Sequence, residues 1–129
     1  MKKALSAAFL FVSVFLSGQV NYIYSDGSSN NYIVSETQII YDPIKKENSS
    51  SGIYSGGEPK SKPITPKDFE NINTLFKEAI TAKSDHQQNR EMMTGLLIHK
   101  KGKKTIDQIV LKPSSLYISK IESLLKSLL

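Results

Sequence analysis

The strongest periodic signal in the chain lies between Thr65 and Lys83, TPKDFENINTLFKEAITAK. Phe69, Ile72, Leu75, Phe76, Ala79 and Ile80 recur at spacings of three and four, which gathers them on one stripe of a helix. Lys67, Glu70, Asn73, Lys77 and Glu78 fall mostly on the other side. The start is punctuated as well. Thr65 can accept a hydrogen bond from an amide of the first turn, Asp68 can reach back to the amide of Thr65, and Pro66 fits where no N–H is needed. Burying each large side chain of the stripe is worth about 1.5–3 kcal/mol, so the helix is expected to pack on neighbouring strands.

Upstream the period shortens. Val20 to Ser25, VNYIYS, alternates β-formers with polar residues, and Asp26 to Asn31 reads as a turn. Tyr32 to Tyr41, YIVSETQIIY, predicts one second strand paired with the first, ended by Asp42-Pro43. Residues 42–63 are rich in Gly, Ser and Pro and read as a long connector, with a short strand at Ile53-Tyr54 ahead of Gly56-Gly57.

Downstream, Arg90 to His99, REMMTGLLIH, and Lys104 to Leu111, KTIDQIVL, flank a short lysine-rich loop and predict a hairpin, with Gly102 as the left-handed residue of a bulged turn. In its first strand Met92, Thr94, Leu96 and Ile98 would share one face, and Met93, Gly95, Leu97 and His99 the other. Apolar residues on both faces point to a central strand, and Gly95 to a place of close approach. From Leu116 to Leu129, the stripe Tyr117, Ile121, Leu124, Leu125 and Leu128 predicts a second helix, capped by Ser114 or Ser115. The expected fold is α+β: an antiparallel sheet of four or five strands with two helices packed on one face, in a single domain spanning 19–129.

Residues 1–18 have the layout of a secretory signal peptide, with Lys2 and Lys3 ahead of the apolar run Ala4 to Leu16 and small residues at Ser17 and Gly18. That run falls short of the ~20 apolar residues a transmembrane helix needs, so cleavage is expected and no span remains in the mature chain. Cleavage there leaves 15 basic against 12 acidic residues, a formal +3 where the whole chain carries +5. So weak a charge does not suit a nucleic-acid binder. The chain has no cysteine, which excludes disulfide frameworks, thiol nucleophiles and thiolate metal sites.

Catalytic patterns are absent from the sequence. Its two histidines, His86 and His99, lack the spacing of a metal site with Asp85, Glu91 or Asp107, no G-x-S-x-G elbow occurs, and the glutamates are scattered. Asp85-His86 reads as an exposed pair in a polar loop, and His99 as a solvated residue at a strand end. No enzyme activity, metal or cofactor is expected. Two surfaces stand out instead. Lys100, Lys101, Lys103 and Lys104 crowd one hairpin tip and could meet a polyanion in a salt-dependent way; the plainer reading of them is a soluble turn whose lysines blunt aggregation at the strand ends. The connector around Ile53, Tyr54, Gly56, Gly57 and Glu58 could present a loop to a partner; the plainer reading of it is a flexible link with a tyrosine tucked against the sheet.

The segment ending FLSGQ, followed by YDPIKKENSSSGIYSGGEPKSKPIT and the helix after it, resembles the short uncharacterised exported proteins of Bacteroidota in overall style. The resemblance implies periplasmic or outer-surface placement, and it brings no activity and no site residues. Taken together, the chain reads as an exported, non-enzymatic binding or accessory protein of the cell envelope, with an envelope protein or an anionic glycan as partner. The alternative is an inhibitor-like or immunity-like protein that presents residues 49–63 to a partner enzyme.

Overall fold

The computed structural model describes residues 19–129. Residues 1–18, read above as a signal peptide, lie outside them. The chain forms strands β1 (Val20–Ser25), β2 (Asn31–Ser35), β3 (Gln38–Asp42) and β4 (Lys60–Pro63), then helix α1 (Pro66–Thr81), strands β5 (His86–Gln87), β6 (Gly95–Lys101) and β7 (Lys104–Leu111), and helix α2 (Leu116–Ser127). All strand pairings are antiparallel, and the seven strands make one sheet in the order β4-β3-β2-β1-β6-β7-β5. The fold is α+β.

The sheet therefore has seven strands, not four or five. One extra comes from YIVSETQIIY, which is two strands folded back on each other so that Val34 pairs with Ile39 and Tyr32 with Tyr41. The Ser35 hydroxyl makes the corner: its oxygen accepts from the amides of Thr37 (3.4 Å) and Gln38 (3.2 Å). The other two are short and polar, β4 at Lys60–Pro63 and β5 at His86–Gln87. No strand forms at Ile53-Tyr54. Nor does a strand begin at Arg90, because residues 90–94 are a loop in which Met93 has a φ of +67° and β6 starts at Gly95.

One face of the sheet carries the core. Tyr22 and Tyr24 of β1, Tyr32 and Val34 of β2, Ile39 of β3, Leu97 of β6 and Leu111 of β7 are buried with Ile72, Phe76 and Ala79 of α1 and Ile121 and Leu125 of α2. Phe76 meets Tyr22 edge to face with ring centroids 4.8 Å apart, and the Tyr22 hydroxyl donates to Asn73 of the same helix. The Tyr24 hydroxyl donates to Glu122 of α2 at 2.8 Å. Both helices thus cover the same face. On the other face Ile40, Ile33, Ile23 and Ile98 form a half-buried row across four adjacent strands.

The local signals hold. Thr65 and Asp68 form the reciprocal capping box with Pro66 at the first helical position, and Ser115 caps α2 by accepting from the amide of Tyr117 at 3.1 Å. Losing the cap in Thr65→Ala is expected to cost about 1 kcal/mol, read as a lower urea midpoint with unchanged slope. β6 is central, between β1 and β7. Gly95 is closely approached, since a Cβ there would stand 2.7 Å from the Tyr24 hydroxyl. The β6–β7 loop is two residues, Gly102-Lys103, with φ +65° at Gly102. The bulge lies farther down the hairpin, where His99 pairs with Asp107 and Lys100 with Thr105, leaving Ile106 as the extra residue.

Candidate functional site

Three loops meet at the end of the sheet where β1 stops. The β1–β2 turn folds around Asp26, whose carboxylate accepts from the amides of Ser28 (2.9 Å) and Asn30 (3.0 Å) and from the Asn30 side chain (3.1 Å). Asn30 is buried and joins this turn to the connector. Its amide nitrogen also donates to the Tyr54 hydroxyl at 3.1 Å, and its oxygen accepts from the amide of Ile44 at 2.9 Å. Farther along, the Tyr41 hydroxyl donates to the carbonyl of Gly56 at 2.6 Å, and the amide of Gly56 to the carbonyl of Ile44 at 3.1 Å.

The connector read as a flexible link is therefore pinned through its middle. Gly56 sits so tightly that a Cβ would fall 1.9 Å from the Asn30 side-chain oxygen. It is a packing residue, not a presented one. Gly57, with φ +100° and no atom within 4 Å of where a Cβ would stand, is open, and Glu58 is exposed.

The third loop, residues 88–94, is fixed by Arg90. Its guanidinium donates to the Asp26 carbonyl (2.6 Å), the Ser25 hydroxyl (3.2 Å), the Thr94 hydroxyl (2.7 Å) and the Thr94 carbonyl. Thr94, fully buried, donates in turn to the carbonyl of Glu91 at 2.6 Å. With the N–H groups of both terminal nitrogens directed at backbone and hydroxyl oxygens, Arg90 acts here as a clamp. It turns the two methionines outward: Met92 is 85% exposed and Met93 65%. Gly27 lets the turn lie against the Met93 backbone, where a Cβ would be 3.0 Å from the Met93 Cα.

Between the loops is an open cleft of about 780 Å³, lined by Ser28, Ser29, Ile44, Tyr54, Met92 and Met93 among others. Ile53, beside Tyr54, is 75% exposed. Of the six large hydrophobic side chains exposed among the described residues, four belong to this end: Ile53, Tyr54, Met92 and Met93. Isolated apolar residues on a surface need no explanation, but a cluster on clamped loops has the character of a contact surface. Thioethers are polarizable and adaptable, so a methionine pair suits the centre of such a contact.

The four lysines lie at the other end of β6, and neither histidine lines this cleft. Lys101 and Lys104 pair directly across the hairpin, while Lys100 pairs with Thr105, so strand alternation points Lys100 and Lys101 to opposite faces. The four lysines share a tip without converging on one spot. His99 is not a solvated end residue: it lies in the middle of the sheet opposite Tyr22, stacked on that ring at 4.7 Å, with Asp107 3.4 Å from its Nδ1. Asp85-His86 is not an exposed pair either. The His86 Nε2–H donates to the Ala79 carbonyl at 2.8 Å, and the Ser115 hydroxyl donates to Asp85 at 2.7 Å. These residues tie the end of α1 to the start of α2.

Among the described residues no three His, Asp or Glu side chains gather into a metal-binding group, and no helix is long and apolar enough to cross a membrane. Sequence reasoning found Ile53 and Tyr54 but missed Met92 and Met93, whose apolar character reads as strand; Arg90 and the buried Asn30 offered no local signal at all. Compared with family models, curated proteins and solved structures, the chain finds no match in any of the three.

Proposed function

We propose that this chain is an exported, non-enzymatic protein-binding module of the cell envelope whose recognition surface is the three-loop end of the sheet. The observation that carries the reading is the combination of exposed Met92, Met93, Ile53 and Tyr54 with loops held by the buried Asn30 and the Arg90 clamp. A surface fixed before contact loses little conformational freedom on binding, so its apolar area is converted to affinity more fully than that of a mobile loop. The partner is a protein with an apolar side chain or short segment able to enter the cleft, ringed by groups that can hydrogen-bond to the serine-rich rim.

The test is capture from envelope extract at low and at physiological salt, with crosslink mapping. A stoichiometric protein partner that survives physiological salt, crosslinks to residues 27–29, 50–54 or 90–93, and is lost about tenfold or more on Met92→Asp with Met93→Asp would support the reading. Capture confined to low salt and abolished by charge reversal at Lys100, Lys101, Lys103 and Lys104 would replace it with polyanion binding.

A second reading draws on Ile53, which projects at the connector's tip next to Gly52 at φ +75°. In it the partner is an enzyme and the tip enters its cleft. Changing Ile53-Tyr54 to Gly-Gly would then restore the partner's turnover while the melting temperature of this chain holds.

A further inference from the structure

A second cleft lies between the sheet and the end of α2, and it is lined by a tyrosine whose hydroxyl bonds no other protein group among the described residues. Tyr24, Tyr32 and Tyr41 stand one behind another across β1, β2 and β3, with ring centroids 6.1 and 5.0 Å apart, and Lys60 of β4 continues the row beside Tyr41. The outer hydroxyls are engaged, that of Tyr24 with Glu122 and that of Tyr41 with the Gly56 carbonyl. Tyr32, between them, is 2% exposed, and among the described residues its hydroxyl has no hydrogen-bond partner. Among the described residues the one sealed side-chain polar atom without a partner is Asn21 Oδ1, so the Tyr32 hydroxyl keeps access to solvent and is free to donate to a ligand. Tyr32 lines an open space of about 260 Å³ walled by Tyr41, Gly56, Lys60, Lys126 and Leu129.

We propose that this cleft binds a small organic carboxylate, with the Tyr32 hydroxyl donating to the ligand from the floor and Lys60 and Lys126 meeting its charge at the rim. Lys126 stands one turn beyond Glu122 on α2, which carries it past Tyr24 towards the Tyr32 position. Its closest acid is Glu122, at 4.0 Å and already accepting from Tyr24 through its other oxygen; among the described residues Lys60 has no acidic partner. The cleft thus offers one sheltered O–H donor and two ammonium groups, against tyrosine ring faces. That set suits an anionic head on a compact apolar body. The volume is just under the ~300 Å³ at which pockets for drug-sized ligands begin, so the body is about the size of one ring. Burial also holds the Tyr32 hydroxyl well above the usual phenol range, so it remains a donor at any physiological pH.

Three probes separate the parts of this site: benzoate supplies charge and body, benzyl alcohol body alone, inorganic phosphate charge alone. Titration followed by calorimetry and by amide shifts is expected to show benzoate binding at least about tenfold tighter than either of the others, with shifts centred on Gly56, Lys60 and Leu129. Tyr32→Phe should weaken benzoate about tenfold, the loss expected for one hydrogen bond to a charged acceptor, while leaving the unliganded melting temperature unchanged or higher. Lys60→Gln with Lys126→Gln should erase the preference for benzoate over benzyl alcohol. Equal weak responses to all three probes, or benzoate binding that Tyr32→Phe leaves intact, would overturn the assignment and leave water as the hydroxyl's partner.

Discussion

Raised from pH 10 to pH 12, the domain is expected to unfold cooperatively, with tyrosinate absorbance and loss of far-ultraviolet dichroism rising together. Burial, with smaller repulsion from Asp107, pushes the Tyr22 hydroxyl up to about 12. Burial, reinforced by Glu122, raises Tyr24 farther, and burial together with Asp26 raises Tyr32 and Tyr41. In each case the folded pKa lies above the unfolded one. The stabilisation is therefore complete below pH 10 and drains away as pH climbs towards the folded values, because the unfolded chain releases protons that the folded chain keeps.

Each such tyrosine costs about 1.4 kcal/mol of stability per pH unit in that window. Tyr22, Tyr24 and Tyr32, all nearly inaccessible, together remove roughly 4 kcal/mol per unit, against a total stability of about 5–15 kcal/mol for an ordinary domain. Tyr22→Phe should move the alkaline midpoint upward relative to its own stability at neutral pH, since one titrating group is gone. Independent titration of these tyrosines near pH 10 in a chain that keeps its dichroism would show that the hydroxyls are not buried as described.

Gly56→Ala is expected to destabilise the protein by about 3–5 kcal/mol, the sum of overpacking and of hydrogen bonds left unmade in a closed space. The reason is contact and not conformation, because Gly56 is absent from the residues with left-handed φ. A methyl there would collide with the Asn30 side chain at 1.9 Å and the Pro43 ring at 2.8 Å. Moving Asn30 would unmake its bonds to Ile44 and Tyr54, and moving Gly56 would free the Tyr41 hydroxyl. Chemical denaturation measures the loss; a change below about 1 kcal/mol would mean that the connector is not clamped. The same variant should lose the protein partner of the loop end, although no side chain of the contact surface has been altered.

What could be read from the sequence was what neighbours in the chain decide. Thr65, Pro66 and Asp68 announce α1 because a capping box closes within one turn, and the stripe on α2 works the same way. The β6–β7 hairpin was legible for a similar reason, with Gly102 between two apolar runs. Where the deciding contact is distant, the sequence misleads. Met92 and Met93 look like strand residues until Arg90 reaches across to Ser25 and Asp26. Lys60–Pro63 belongs to the sheet through backbone pairing alone, with every side chain exposed and therefore no apolar pattern to notice. The split at Ser35 depends on one hydroxyl serving two amides inside a run that otherwise reads as continuous. Of the candidate sites, Ile53 and Tyr54 were visible as an apolar island in a polar loop, but the clamp that fixes them and the open hydroxyl of Tyr32 exist only after long-range pairing.

That pairing has a bearing on how the molecule comes together in time. β1 to β3 form a meander and β6 and β7 a hairpin, so each can close over short loops soon after it is made, while β4 joins β3 across the connector of residues 43–59. Among the strand pairings, it is the seam between β1 and β6, Tyr22 against His99 and Tyr24 against Leu97, that joins the two halves across most of the chain. Such a distant closure is the slow step in assembling a sheet. For a chain emerging N-terminus first, β1 waits as a bare edge until β6 arrives, and the interval before that seam zips shut is when the protein is most open to mispairing.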